Sequence, residues 1–140
     1  MAYTGFRPDI SALDEPFWDA LRRHELVVQQ CGSCGRLRFV PTELCPYCYS
    51  AARTWSTVSG RGRVYTFSVV HRAPTPAYQA EAPYAIAYVE LDEGPRLPAR
   101  VVDVDPADVE VGMPVEVVFD DVDDDLTLYR FRPATDRDER

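Results

Sequence analysis

Two matched cysteine pairs, Cys31-Gly-Ser-Cys34 and Cys45-Pro-Tyr-Cys48, constrain this chain more than any other feature, and they hold all of its cysteines. Each pair puts two sulfurs on one tight knuckle, and Gly32 and Gly35 ease the backbone around it. Four thiolates at tetrahedral positions describe a closed structural zinc site, with no open position for a substrate or water. Two adjacent CxxC pairs are a far more specific signal than one. Zinc is therefore expected as scaffold rather than as catalyst. Iron in a rubredoxin-like arrangement uses the same ligands and is the less favoured ion. Disulfides would need an oxidising compartment, yet the opening residues Met1 to Asp9 are short and polar, with no apolar leader expected.

A length of 140 residues suits one domain of usual size or two small modules sharing a core. No apolar run is long enough to span a membrane, so a soluble cytoplasmic protein is the expectation. The formal net charge is −8, and every basic residue is an arginine. This acidic balance disfavours sequence-independent nucleic-acid binding, which depends on neutralising phosphates.

The pattern predicts a mainly β fold: an N-terminal arm and helix over 1–25, a zinc ribbon over 26–52, a five-stranded OB-type barrel over 53–133, and a polar tail over 134–140. Asp14 is placed to cap the helix, followed by Glu15 and Pro16 in its first turn. Phe17, Leu21 and His24 recur at helical spacing, with Trp18 beside them. Leu26 to Val28 read as a strand entering the first knuckle, and Leu37, Phe39 and Val40 as a short hairpin over the metal. Barrel strands are expected near 64–70, 84–91, 96–104, 115–119 and 126–131, where β-formers dominate. Gly60 and Gly62 suggest a bend or bulge at a barrel corner. Asp92-Glu93-Gly94-Pro95 has hairpin-turn chemistry. The segment 72–83, rich in proline around Ala77, Tyr78 and Ala80, reads as a loop over the barrel or as a lid facing a ligand or partner.

Catalytic signals are weak. His24 and His71 are the two residues that titrate near neutral pH, and neither has an identifiable nucleophile or carboxylate partner in the sequence. No nucleophile elbow or phosphate-cradling glycine loop is present. The acidic run 120–125 lacks the central glycine and closing glutamate of a calcium loop, so a solvated hairpin tip is expected. Arg36, Arg38, Arg61 and Arg63 are candidates for phosphate contact, either a CoA phosphate or, with Phe39, Tyr65 and Phe67 for base stacking, a nucleic-acid backbone. The plain alternative is that these arginines keep strand faces soluble.

The ordered set Cys31-Gly-Ser-Cys34-Gly, Cys45-Pro-Tyr-Cys48, Ser59-Gly-Arg-Gly62, Val64-Tyr-Thr-Phe67, Pro83-Tyr-Ala-Ile-Ala87, Leu91-Asp-Glu-Gly94 and Gly112-Met-Pro-Val115 resembles the zinc-ribbon OB-fold family associated with acyl-CoA metabolism. The resemblance runs from about Glu15 to Pro133. Val40-Pro41-Thr42-Glu43 departs from it, because the family commonly carries an aromatic, prolines and an arginine there. The resemblance implies an accessory chain of thiolase-fold enzymes, or a domain fused to acyl-CoA hydratases. One branch resembles the partner of an aldolase that cleaves steroid side-chain CoA esters. It further implies that the partner holds the catalytic residues, that the two assemble two-plus-two, and that acyl-CoA is shared between them. Cys31, Cys34, Cys45 and Cys48 map to the metal ligands, and no catalytic residue maps. Phe17, Trp18 and Tyr78 are the expected anchors of the partner interface. A stand-alone acyl-CoA carrier is the alternative, an OB-fold nucleic-acid binder the third, and an independent enzyme the least favoured.

Overall fold

The computed structural model describes residues 7–134. Residues 1–6 of the expected arm and the tail from Thr135 lie outside the described residues. The chain opens with helix α1 (Glu15–Arg22) and continues into β1 (Leu26–Cys31), β2 (Leu37–Arg38) and β3 (Arg53–Val58). β4 (Arg61–Val70), the one-turn helix α2 (Pro76–Gln79), β5 (Tyr84–Leu91), β6 (Arg96–Val101), β7 (Pro114–Asp121) and β8 (Thr127–Pro133) complete it.

These strands form two sheets. A three-stranded sheet runs β2-β1-β3, and a closed barrel runs β4-β5-β6-β8-β7, with β7 returning to β4. The barrel is the five-stranded OB architecture that the strand count predicts. Alternation explains it: along β5, Ala85, Ala87, Val89 and Leu91 point inward and are buried, while Ile86, Tyr88 and Glu90 point out. Phe131, Leu97, Val64 and Val115 close the interior.

Several local features differ from the sequence reading. β3 pairs along its whole length with β1, from Leu26↔Val58 to Cys31↔Arg53. The ribbon sheet thus extends past residue 52 into the stretch that reads as barrel. Gly60 is a bend between β3 and β4, with φ 80°, as expected, whereas the β-bulge falls further on, at Tyr65, between the Val64↔Val89 and Thr66↔Tyr88 pairs. Gly62 serves a different purpose: a Cβ there would lie 2.3 Å from the Glu90 carbonyl oxygen, so only glycine lets β4 and β5 approach so closely.

Asp14 makes no side-chain cap. Its own N–H meets Ser11 Oγ at 3.3 Å, in the turn that leads into the helix. At the other end His24 lies beyond the helix with φ 61°, the left-handed turn that stops it. Its N–H donates to the Leu21 carbonyl at 2.8 Å, and that of Glu25 to Ala20 at 2.9 Å, the paired bonds of a Schellman stop. The helical spacing that grouped His24 with Phe17 and Leu21 does not survive this turn. Its exposed ring stacks on Phe119 at 5.1 Å and bonds Asp121 through Nε2 at 2.9 Å, tying the helix end to β7.

Candidate metal centre and the cleft beside it

Two knuckles bring the four cysteines together. β1 ends at Cys31, and the Cys31 N–H takes the Arg36 carbonyl at 2.9 Å, folding the first knuckle back on itself. The second closes through the Tyr49 N–H on Cys45 at 2.8 Å. All four Sγ atoms lie within 4.8 Å of one another, with Cys31–Cys48 at 3.6 Å and Cys34–Cys45 at 3.7 Å. A tetrahedron with metal–sulfur bonds of about 2.3 Å requires edges of about 3.8 Å. The cage therefore fits a four-thiolate metal ion. Among the described residues it is the one cluster with metal-ligand geometry.

Backbone amides favour the charged form at two of these sulfurs, Cys31 and Cys45. The amides of Cys34 and Ser33 reach Cys31 Sγ at 3.4 and 3.3 Å and hold its pKa down to about 6. Burial pushes Cys45 up, but the amides of Tyr47 and Cys48 outweigh it and leave the thiol lowered. For Cys48 the Ser50 amide pulls downward, yet its sulfur neighbours win and raise it to about 11. Four close sulfurs cannot all carry charge unaided, and a dication at the centre removes that conflict.

The three expected interface anchors differ in burial. Phe17 is 3% exposed, and its ring packs on Trp18 at 5.4 Å, Phe39 at 5.3 Å and Tyr129 at 5.7 Å. It joins helix, ribbon and barrel from within and presents nothing outward, so its expected role as an exposed anchor is corrected to a core role. Trp18 is half-buried beside it. Tyr78 is half-buried on α2, over Arg100, which pairs with Glu81 and stacks on Tyr84 at 4.0 Å.

The four arginines separate into two places. Arg61 pairs with Glu116 at 3.6 Å and Arg63 donates to the Gly112 carbonyl at 2.9 Å, both beside a small cleft of about 120 Å³. Arg36 and Arg38 line a larger cleft of about 820 Å³ between the ribbon and the β5–β6 turn. Arg38 is 5% exposed. Its Nε donates to Gln29 Oε1 at 2.9 Å and its Nη2 to the Thr42 carbonyl at 3.3 Å. Arg36 is exposed, with its guanidinium 4.4 Å from the centre of the Tyr47 ring.

Sequence reasoning missed this buried polar knot. Gln29 is fully buried, and its Oε1 also accepts the Thr42 N–H at 2.8 Å. The available signal was a glutamine closing the apolar run Leu26-Val27-Val28, opposite an arginine set between Leu37 and Phe39. Also unforeseen are the exposed apolar residues of the ribbon, Val40, Leu44, Tyr47 and Tyr49.

The comparisons with known proteins agree with this architecture. Residues 18–52 match the family described as ChsH2, rubredoxin-like zinc ribbon domain, and 55–120 match ChsH2, C-terminal OB-fold domain. A "Probable enoyl-CoA hydratase alpha subunit" of Thermomonospora curvata is 43% identical over 95% of this chain. This chain spans only 41% of that relative's length. A "DUF35 domain-containing scaffold protein" of Methanocaldococcus jannaschii is 42% identical, over 79% of this chain and 83% of the relative. Among solved structures, a chain of the "Ltp2-ChsH2(DUF35) aldolase" superposes with a TM-score of 0.84 at 40% identity. That match covers 92% of this chain and all of the other.

Proposed function

The chain belongs to the ChsH2-type DUF35 family of paired zinc-ribbon and OB-fold domains, and from that membership we propose that it is a non-catalytic subunit supporting a thiolase-like acyl-CoA enzyme. One observation carries the reading: over 92% of its length the chain matches, at 40% identity, a chain of the "Ltp2-ChsH2(DUF35) aldolase". The partner is a retro-aldolase acting in steroid side-chain degradation, or a thiolase, and the complex is two-plus-two.

In this reading the ion held by Cys31, Cys34, Cys45 and Cys48 is zinc, and it supplies rigidity rather than chemistry. The residues of the chain do the positioning. Phe17 and Tyr129 clamp helix to barrel, and the Tyr129 hydroxyl fixes β8 to β6 through the Pro98 carbonyl at 2.6 Å. Trp18 and Tyr78 remain as contact candidates on the outside, where a stable interface covers about 800 Å² of each partner. Acyl-CoA is shared with the partner, and Arg61 and Arg63, beside the smaller cleft and apart from Arg36 and Arg38, are the candidates for its phosphates.

Co-expression with a thiolase-fold protein encoded nearby tests the proposal. A stable complex supports it. An acyl-CoA carrier would instead bind CoA esters tightly by itself, which calorimetric titration of the isolated chain would register.

A further inference from the structure

The cleft between ribbon and barrel contains a charge that has no counterion among the described residues. Arginine stays protonated at any ordinary pH, and burying a cation that lacks an ionic partner is costly. Yet Arg38 is nine-tenths buried and bonded only to neutral oxygens. Among the described residues its Nη1 has no hydrogen-bond partner, and neither does the neighbouring Gln29 Nε2. Glu93, the carboxylate on the cleft wall, is engaged elsewhere, accepting the Ser59 N–H at 2.8 Å. Arg96, also on the wall, stacks on Tyr65 at 3.7 Å and pairs with Glu90 at 3.3 Å. Among the described residues, the two cations of the cleft wall with no carboxylate partner are Arg36, just before β2, and Arg38 within it.

The same cleft exposes an open strand edge. The barrel is closed and offers none, whereas β2 is one of the two outer strands of the ribbon sheet, with β3 at the opposite edge. Cys31 N–H meets the Arg36 carbonyl, and the register pairs Gln29 with Arg38 and Gln30 with Leu37. In an antiparallel ladder bonded and non-bonded pairs alternate. Arg38 therefore bonds inward to β1, and the N–H and C=O of Leu37, a residue of the cleft wall, point away from β1 at the open edge.

We propose that this cleft seats an extended acidic peptide segment of a partner protein, added as a strand along Leu37, with a carboxylate meeting Arg36 and Arg38. Backbone bonds to the free edge supply affinity, and alternate side chains supply selectivity. A carboxylate offers two oxygens to a guanidinium fork. A volume of about 820 Å³ exceeds what a lone small anion needs, and exposed Val40 and Tyr47 suit the apolar residues between the acidic ones. The inference deepens the scaffold reading and rests on it only for the identity of the peptide's owner.

The test titrates the isotope-labelled full chain, purified with its metal, with an acetylated heptapeptide of alternating Glu and Val. Amide shifts should centre on Arg36, Leu37 and Phe39, with slowed exchange of the Leu37 N–H. Arg36→Glu, an exposed change, should weaken binding at least tenfold, and a peptide with Lys for Glu should not bind. Arg38→Lys should also weaken it, since it keeps the charge but loses the fork. Sodium phosphate or free glutamate giving the same shifts would reduce the cleft to a small-anion site and overturn the proposal. So would an unshifted Leu37, or equal binding of both peptides. Because no partner enters this titration, either result leaves the scaffold reading to the co-expression experiment.

Discussion

Replacing Phe17 by alanine separates a core residue from an interface residue. The side chain is 3% exposed and meets three aromatic rings at 5.3 to 5.7 Å. Truncating a buried Phe costs about 3–5 kcal/mol through lost transfer energy and the cavity left behind. Stability for a chain of this length is on the order of 10 kcal/mol. Phe17→Ala should therefore remove about a third to a half of it from the isolated chain. With a urea slope of about 2 kcal/mol/M, the unfolding midpoint should fall by about 2 M. Fluorescence-monitored urea unfolding of the isolated, metal-loaded chain gives the answer. An interface anchor would behave in the opposite way, leaving that midpoint alone and weakening only the complex. A shift under about 0.5 M would refute the core assignment.

Gly62→Ala drives a Cβ to 2.3 Å from the Glu90 carbonyl and should lower stability by about 1–3 kcal/mol, read as a lower melting temperature. Cys48→Ser opens the thiolate cage and should drop bound metal from about one ion per chain to a small fraction by elemental analysis, with amide protection lost first in β1 and β2. Asp121 is held below the ordinary carboxylate range by the Thr127 hydroxyl and then by His24, and Asp123 by Arg7 and the Asp125 amide. Their pKa values are depressed in the folded state, so their stabilisation is present above about pH 4 and is lost as pH falls through the folded values. The double variant Asp121→Asn, Asp123→Asn should flatten the acid limb of a stability–pH profile, and an unchanged limb would contradict the assignment.

Much of this architecture is legible in the residues because it depends on local pattern. The knuckles follow from cysteine spacing, and the barrel strands from alternation such as Ala85-Ile86-Ala87-Tyr88. What the sequence could not reveal depends on tertiary context. β3 reads like a barrel strand, and only its pairing with β1 assigns it to the ribbon sheet. His24 sits at helical spacing from Leu21, but its left-handed backbone takes it off the helix. Phe17 looks like an exposed anchor until Phe39 and Tyr129 close over it from distant parts of the chain. Arg38 looks like a solvated strand residue, and Gln29 across the ladder makes it a buried one. The metal site was the most legible because four ligands are specified within one short stretch.

The central claim is that this chain works as part of another enzyme. Co-expression with a thiolase-fold partner, followed by size exclusion with light scattering, tests it most directly. The account predicts one co-eluting species with the mass of two copies of each chain. A chain that elutes alone, with the partner fully active in its absence, would contradict it.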